Sequence, residues 1–264
     1  MTTQREQTTK LRALHGGFLV LPNAWDAASA RMAQDLGAKA VATSSAAVAW
    51  SHGYADGETM PREVVLTATR ETLRVVSVPV TVDSEAGYSS DPAQTAAHVS
   101  TLIDLGVAGI NIEDGRDAPD LLAAKIKAIR ALGKDIFINA RADVYLKNLV
   151  PDGEKLAEMI RRATLYEAAG ADGFFAPGMG ELSAIEQVVH AITLPVNCLV
   201  QKTLPPLADL KRIGVRRISA GAAIGRAAYG AAVRAARMLL DDGKPDAIFA
   251  SSADCPEFNA SFRI

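Results

Sequence analysis

Eight short apolar runs, each separated from the next by a helix-length amphipathic stretch, restrict the fold of this chain more than any other feature. The runs are FLVLPN (18–23), AVATSS (40–45), VPVTVDSE (78–85), AGINIED (108–114), DIFINARAD (135–143), GFFAP (173–177), LPVNCLV (194–200) and RRISAG (216–221). They are mostly rich in β-branched or aromatic residues and carry polar residues at their ends, as strands buried on both faces of a parallel sheet do. The clearest intervening stretch is 152–169, where Leu156, Met159, Ile160, Ala163 and Tyr166 recur at helical spacing with charges opposite. Five runs follow a glycine that closes a helix, at Gly37, Gly106, Gly133, Gly170 and Gly214; the left-handed position past a helix end costs glycine little. Asp91-Pro92 with Gln94 reads as an N-cap, a proline at the first helical position and a capping-box partner.

Eight strands with intervening helices in 264 residues predict an α/β chain folded as one closed (β/α)8 TIM barrel over residues 1–264. An open doubly wound sheet is the alternative, but LPNAWDAAS after the first run has no G-x-G-x-x-G fingerprint. Two segments fall outside the alternation. Residues 1–17 hold an N-terminal helix, over 4–15, placed to cover the barrel floor. Residues 244–264 form a C-terminal extension suited to docking on a neighbouring subunit, which predicts a homo-oligomer. With 49% hydrophobic residues there is ample core, and 28 basic against 30 acidic residues leave a net charge of −2. No basic block marks a nucleic-acid surface, so the expected partners are small molecules. No run reaches transmembrane length, and MTTQREQTTKLRALHGG is too polar for a signal peptide. Two cysteines, Cys198 and Cys255, argue against a disulfide scaffold. The expected location is the cytoplasm, with no membrane partner.

In such a barrel the active site forms at the C-terminal strand ends, and side-chain alternation sorts which polar residues point inward. Asp83 and Glu85 share a face opposite Val82. Asn111 and Glu113 share a face opposite Ile110 and Ile112, whose side chains suit the helix layer, so Glu113 points into the barrel mouth. Asn139, Arg141 and Asp143 share a face opposite Ile138, and Asn197 lies between Val196 and Cys198. Three carboxylates, Asp83, Glu85 and Glu113, thereby converge with the Arg141 guanidinium. All-oxygen ligation suits Mg2+, with Mn2+ possible, more than zinc. A metal beside an arginine suits a 2-oxo carboxylate, the metal meeting the keto and one carboxylate oxygen while arginine pairs with the charge. A plainer reading also fits these residues: Asp83 as a cap or loop acceptor, Glu113–Arg141 as a structural ion pair, Asp143 as its orienting partner. His15, His98 and His190 fall in or near helices, His52 lies in a loop, and Lys202 reads as a surface lysine; none is assigned chemistry.

With those residues placed, the sequence resembles the isocitrate lyase/phosphoenolpyruvate mutase superfamily over nearly its whole length. The carrying segments are LRALHGGFLVLPNAWDAASARMAQDLGAKAVATSSAAVAW, GYADGE, VPVTVDSEAGY, GINIEDG, INARADVYL and PVNCLV. The resemblance implies a tetramer or dimer of dimers in which the eighth helix is exchanged between subunits. It implies Asp83 as the direct Mg2+ ligand, with Asp56, Glu85 and Glu113 holding metal-bound waters. Ser44, Ser45 and Ala46 lie where the family binds the substrate carboxylate, partly through backbone N–H groups, and Arg141 and Asn197 match substrate-contacting positions. Three departures stand out. Glu85 replaces an aspartate, Ser44-Ser45 replaces a Ser-Gly stretch, and the lyase loop with its K-R/K-C-G-H acid is missing, because IEDG runs through RDAPD straight into LLAAKIKAIR.

The function these readings favour is Mg2+-dependent cleavage or decarboxylation of a small 2-oxo or 2-hydroxy di- or tricarboxylate through a metal-stabilised enolate. The alternatives are carbon–phosphorus chemistry on a phosphonate, with Asp56 as nucleophile or water-positioning group, and a 2-oxo acid binder with little turnover.

Overall fold

Pro22 splits the first run into two strands, and that break closes the barrel. In the computed structural model, which describes residues 3–241, 243 and 245–263, β1 (Leu19–Leu21) pairs in parallel with β9 (Arg217–Ser219), while β2 (Asn23–Ala24) pairs with β3 (Val41–Thr43). Proline has no N–H to give a ladder, so the run hands its pairing from one neighbour to the other at that residue. The remaining strands are β4 (Val80–Asp83), β5 (Gly109–Glu113), β6 (Phe137–Arg141), β7 (Gly173–Phe175) and β8 (Val196–Leu199), in the order β1-β9-β8-β7-β6-β5-β4-β3-β2. All eight predicted runs are therefore strands, and the expected barrel is present.

The helices are α1 (Gln4–Leu14), α2 (Ala27–Asp35), α3 (Ser45–Ser51), α4 (Arg62–Val75), α5 (Pro92–Leu105), α6 (Pro119–Ala131), α7 (Lys155–Ala169), α8 (Leu182–Ala191), α9 (Leu207–Arg212), α10 (Ala223–Leu240), α11 (Pro245–Ser251) and α12 (Phe258–Ser261). The five helix-closing glycines all take positive φ, from 66° to 109°. Asp91 caps α5 through the Ala93 N–H (2.9 Å), with Pro92 at its start. Gln94 does not complete the expected capping box. It turns to the Ser89 hydroxyl, which itself accepts from the Asp91 N–H, so the cap's own donor is already satisfied.

Ile110, Ile112 and Ile138 are fully buried in the layer between strands and helices, as the alternation requires. The barrel floor is closed by α1. Leu11 packs among Leu19, Leu21, Ala40, Ala42, Ala108 and Phe137, His15 stacks on Phe137 with ring centroids 4.1 Å apart, and the Gln4 amide donates to the carbonyls of Val107 and Asp135 (both 2.9 Å).

The eighth position is different. Of α10, only Gly225 is buried, and Tyr229, Val233, Leu239 and Leu240 are exposed. Val20, on the outward face of β1 where a barrel helix would cover it, is 47% exposed. In the extension, Phe262, stacked with Phe258 at 5.7 Å, packs on this chain's own cluster of Ala24, Ala30, Ala33, Val41 and Val75. The apolar tail thus finds an apolar patch in cis, between α2 and β3. Met1 and Thr2 of the expected N-terminal segment, and Lys244 and Ile264 of the extension, lie outside the described residues. Among the described residues, no helix is long and apolar enough to cross a membrane.

Candidate active site

The C-terminal strand ends open into a cleft of about 120 Å³ lined by Asn23, Ser44, Ser45, Ala46, Asp56, Asp83, Asn111, Arg141, Phe175, Leu199, Ser219, Gly221 and Ala222.

Asp83, the last residue of β4, is placed by its own N–H, which donates to Thr43 Oγ1 (3.0 Å). Its Oδ2 accepts from the Ser45 hydroxyl (2.8 Å) and the Ser45 N–H (3.2 Å) at the start of α3. Its Oδ1 is buried and has no hydrogen-bond partner. A buried carboxylate oxygen left unsatisfied is costly, and a hard cation is the partner that an oxygen donor in this setting best accommodates.

Glu85 lies past the strand end in a left-handed turn (φ 47°). Its Oε2 accepts from the Glu58 N–H (2.6 Å) and its Oε1 from the Tyr88 hydroxyl (3.0 Å), while Glu58 Oε1 accepts from the Tyr88 N–H (2.6 Å). Glu58 and Tyr88 are also at positive φ, so three strained residues interlock around one carboxylate, the kind of arrangement that clusters at functional sites. Glu113, the last residue of β5, pairs through Oε2 with Arg141 Nη1 (2.5 Å) and through Oε1 with Lys147 Nζ (3.2 Å).

The expected convergence of Asp83, Glu85 and Glu113 therefore takes a particular form. Among the described residues, no three carboxylate, imidazole or thiolate groups are close enough to ligate one ion directly. The reason is local: Glu85 is drawn into the loop above the strand and Glu113 toward two cations. Asp83 Oδ1 is thereby left without a protein partner, whereas Glu85 and Glu113 spend their oxygens on neighbouring groups. Electrostatics agree with a cation there. Burial, with Asp83 and Asp56 nearby, pushes Glu85 up to about 7 against the opposing Tyr88 and Glu58 bonds. Burial, then Asp143 and Asp83, pushes Glu113 up to about 7 against the pull of Arg141. Asp56, on the rim, is also raised, by partial burial and by Asp83. Carboxylates crowded in this way regain ordinary acidity when a positive charge sits among them.

Arg141 ends β6 and is held by two carboxylates. Nε and Nη2 donate to Asp143 Oδ1 and Oδ2 (2.6 and 3.0 Å) and Nη1 to Glu113, while the guanidinium carbon lies 5.8 Å from the Phe175 ring centroid. Arg141 is thus both a member of an ion-pair network and part of the cleft wall. Of the Ser44-Ser45-Ala46 stretch, the Ser44 N–H donates to the Ala24 carbonyl (3.1 Å) and the Ser45 N–H to Asp83, which leaves the Ala46 N–H for a ligand. Asn197 does not reach the cleft: it is fully buried and bonds Ser219 Oγ (3.1 Å), and Ser219 forms the wall in its place.

Sequence reasoning assigned no site role to Asn23, Asn111, Ser219, Gly221 or Lys147, although it had placed Asn111 on the inward face of its strand. Asn111 and Ser219 sit on inward strand faces, so their period-2 register was the available signal. Lys147 follows β6 in a turn and carried none. The turn after β5 is tightly fixed: Asp114 is buried, accepting from Arg162 Nη1 (2.8 Å), the Tyr166 hydroxyl (2.6 Å) and the Asp143 N–H (2.9 Å). Among the described residues, no Cys, His or Lys lines the cleft.

Residues 11–240 match the family model described as phosphoenolpyruvate phosphomutase. An uncharacterized protein of Mycobacterium tuberculosis is 38% identical over 226 residues, 84% of each chain. The oxaloacetate decarboxylase of Ectopseudomonas mendocina (strain ymp) is 33% identical over 176 residues, 61% of this chain and 57% of that one. A Burkholderia cenocepacia J2315 crystal structure with the provisional name lyase/mutase superposes with a TM-score of 0.87 at 32% identity, covering 98% of this chain and 95% of the other. A second from that organism, provisionally named a phosphonomutase, has a TM-score of 0.82 at 39% identity, over 87% and 98%.

Proposed function

Since the chain belongs to the phosphoenolpyruvate phosphomutase family, an enzyme family of the isocitrate lyase/phosphoenolpyruvate mutase superfamily, we propose that it is a Mg2+-dependent lyase or decarboxylase. Its substrate is a small 2-oxo or 2-hydroxy di- or tricarboxylate, and the reaction passes through an enolate. The observation that carries this reading is Asp83, which lines the cleft with one oxygen that no protein group satisfies, alongside the Arg141 guanidinium in the same wall. Mg2+ or Mn2+, held by Asp83 directly and by Asp56, Glu85 and Glu113 through water, would supply Lewis acidity toward the keto oxygen. The chain's residues do the rest. Arg141 and the Ala46 N–H bind and orient the substrate carboxylate, and Asp143 and Glu113 fix the plane of the guanidinium. The decarboxylase named among the relatives favours oxaloacetate as the first substrate to try. Turnover of oxaloacetate, the isocitrates and phosphonopyruvate, with and without Mg2+, tests the reading. Mg2+-dependent release of carbon dioxide from oxaloacetate is the expected result, and turnover of phosphonopyruvate alone would overturn it. That second reading, carbon–phosphorus chemistry with Asp56 as nucleophile or water-positioning group, draws on the family model and on Asp56 lying in the cleft wall.

Arg141→Lys is expected to weaken Mg2+-dependent oxalate binding about 10-fold or more, since lysine cannot reproduce the bidentate fork. A titration and a thermal melt on the same sample check it. A purely structural pair would lower the melting temperature and leave the affinity unchanged.

The assembly follows from α10. Its exposed Tyr229 and Val233, together with the uncovered Val20 on β1, support a homo-oligomer, a tetramer or dimer of dimers, in which each copy's α10 covers the barrel of another. Light scattering at micromolar concentration should give a multiple of the 27.8 kDa chain mass, and Val233→Asp should shift it toward that mass. A monomer at the wild-type sequence would sink the idea.

A further inference from the structure

One charged residue inside the barrel has no part in the site as described so far. Arg217, on β9, is fully buried. Its Nε donates to Ser219 Oγ and its Nη2 to Asn111 Oδ1, both at 3.2 Å, and both of those residues line the cleft. Its Nη1 has no partner, and among the described residues no carboxylate lies within ion-pair distance of 4.0 Å. Burial pulls its pKa down to about 9, with Asp83 the charge that opposes the shift, so the group is still cationic at neutral pH.

An unpaired buried cation is a poor scaffold element, because an apolar side chain of similar volume is often neutral or stabilising in its place. What Arg217 does accomplish is directional. Asn111 Oδ1 accepts from both Arg217 and Asn139 Nδ2 (2.9 Å), so the Asn111 NH2 is turned away from them, toward the cleft. Ser219 Oγ is likewise held between Arg217 and Asn197. The result is a fixed donor in the cleft floor with a full positive charge directly behind it, in a low-dielectric interior where such a charge is felt strongly.

We propose that Arg217 is a specificity-determining residue: its buried charge, acting with the Asn111 amide that it orients, makes the cleft select ligands with two acid groups over ligands with one. The inference rests on the 2-oxo acid reading and assigns its discrimination against monocarboxylates to one buried residue. Arg141 holds the first carboxylate from the wall, and the floor recognises the additional charge.

The test compares Mg2+-dependent dissociation constants for oxalate, with two carboxylates, and pyruvate, with one, by calorimetry. Each variant is scored by its pyruvate-to-oxalate ratio, so that general damage cancels. Arg217→Gln and Arg217→Met, both neutral, should lower the ratio by about 10-fold or more, while Arg217→Lys, which keeps the charge, should stay within about threefold of wild type. Equal weakening of both ligands, or an unchanged ratio, assigns Arg217 to the scaffold and overturns the proposal. So does failure of both neutral variants to fold. If wild type binds neither ligand, the 2-oxo acid reading itself has failed, an outcome distinct from a wild type that binds both and variants whose ratio does not move.

Discussion

Asp83→Ala is expected to reduce Mg2+-dependent turnover by about 10³-fold or more, the scale of losing several kcal/mol of charge stabilisation. Asp117→Ala, on the exposed turn after β5, should leave turnover within about twofold. The difference follows from position. Asp83 ends its strand in the cleft with Oδ2 tied to Ser45 and Oδ1 unsatisfied, whereas the Asp117 carboxylate faces solvent. Because Asp83 also anchors the start of α3, Asp83→Asn is the companion variant: it keeps the shape and the Ser45 contact but is a far weaker ligand. Glu85→Gln and Glu113→Gln should cost less, about 10–100-fold, as groups acting through water do. Mg2+ affinity by calorimetry supplies a readout independent of turnover. Equal affinity in Asp83→Ala and Asp117→Ala, with melting temperatures intact, would mean that these carboxylates serve the fold.

Most of the barrel was legible because a parallel strand buried on both faces leaves an apolar run, and because glycine at a helix end has a steric reason to be there. The strand-end residues Asp83, Glu113 and Arg141 were legible for a related reason. A charged residue that closes an apolar run must leave the helix layer, and alternation then places it at the barrel mouth. The deeper layer was not legible. Arg216 and Arg217 are adjacent in sequence, yet one faces out and the other is fully buried, and only the register of β9 against β1 and β8 separates them. Asn197 shows the converse. Alternation correctly turned it inward, but Ser219 on the neighbouring strand stands between it and the cleft, a relation no single strand's pattern contains. The same limit applies to Glu85: its spacing from Asp83 put both on one face, but the left-handed turn at Glu85 and the Glu58–Tyr88 interlock decide where its oxygens go. The strained backbone that redirects it has no period to read.

Cleavage of isocitrate or 2-methylisocitrate is expected to be slower by about 10²–10⁴-fold than is ordinary for a lyase, the usual cost of lacking a well-placed acid. The turn from Asp114 to Ala118 cannot fold over the cleft. Asp114 is bonded to Arg162, Tyr166 and the Asp143 N–H, and the Asp117 N–H is bonded back to the Asp114 carbonyl (2.8 Å), so the turn is anchored at its start and closed on itself, too short to serve as a lid. The cysteines offer no substitute. Cys198 is buried behind the strand layer, where burial pushes its thiol up to about 12, and Cys255 lies in the C-terminal extension. Lys147 approaches the site but pairs with Glu113 and Asp143 (3.2 and 2.9 Å), and both hold its proton in place. An open cleft with a positioned arginine favours reactions in which the departing fragment needs no proton as it leaves. Loss of carbon dioxide from a 2-oxo dicarboxylate is such a reaction, since the enolate can be protonated afterwards by water. Steady-state assays at saturating Mg2+ should therefore rank oxaloacetate above both isocitrates by at least about 10²-fold in kcat/KM. Efficient cleavage of either isocitrate would refute this and place a general acid at the cleft, with Lys147→Met the first variant to make in locating it.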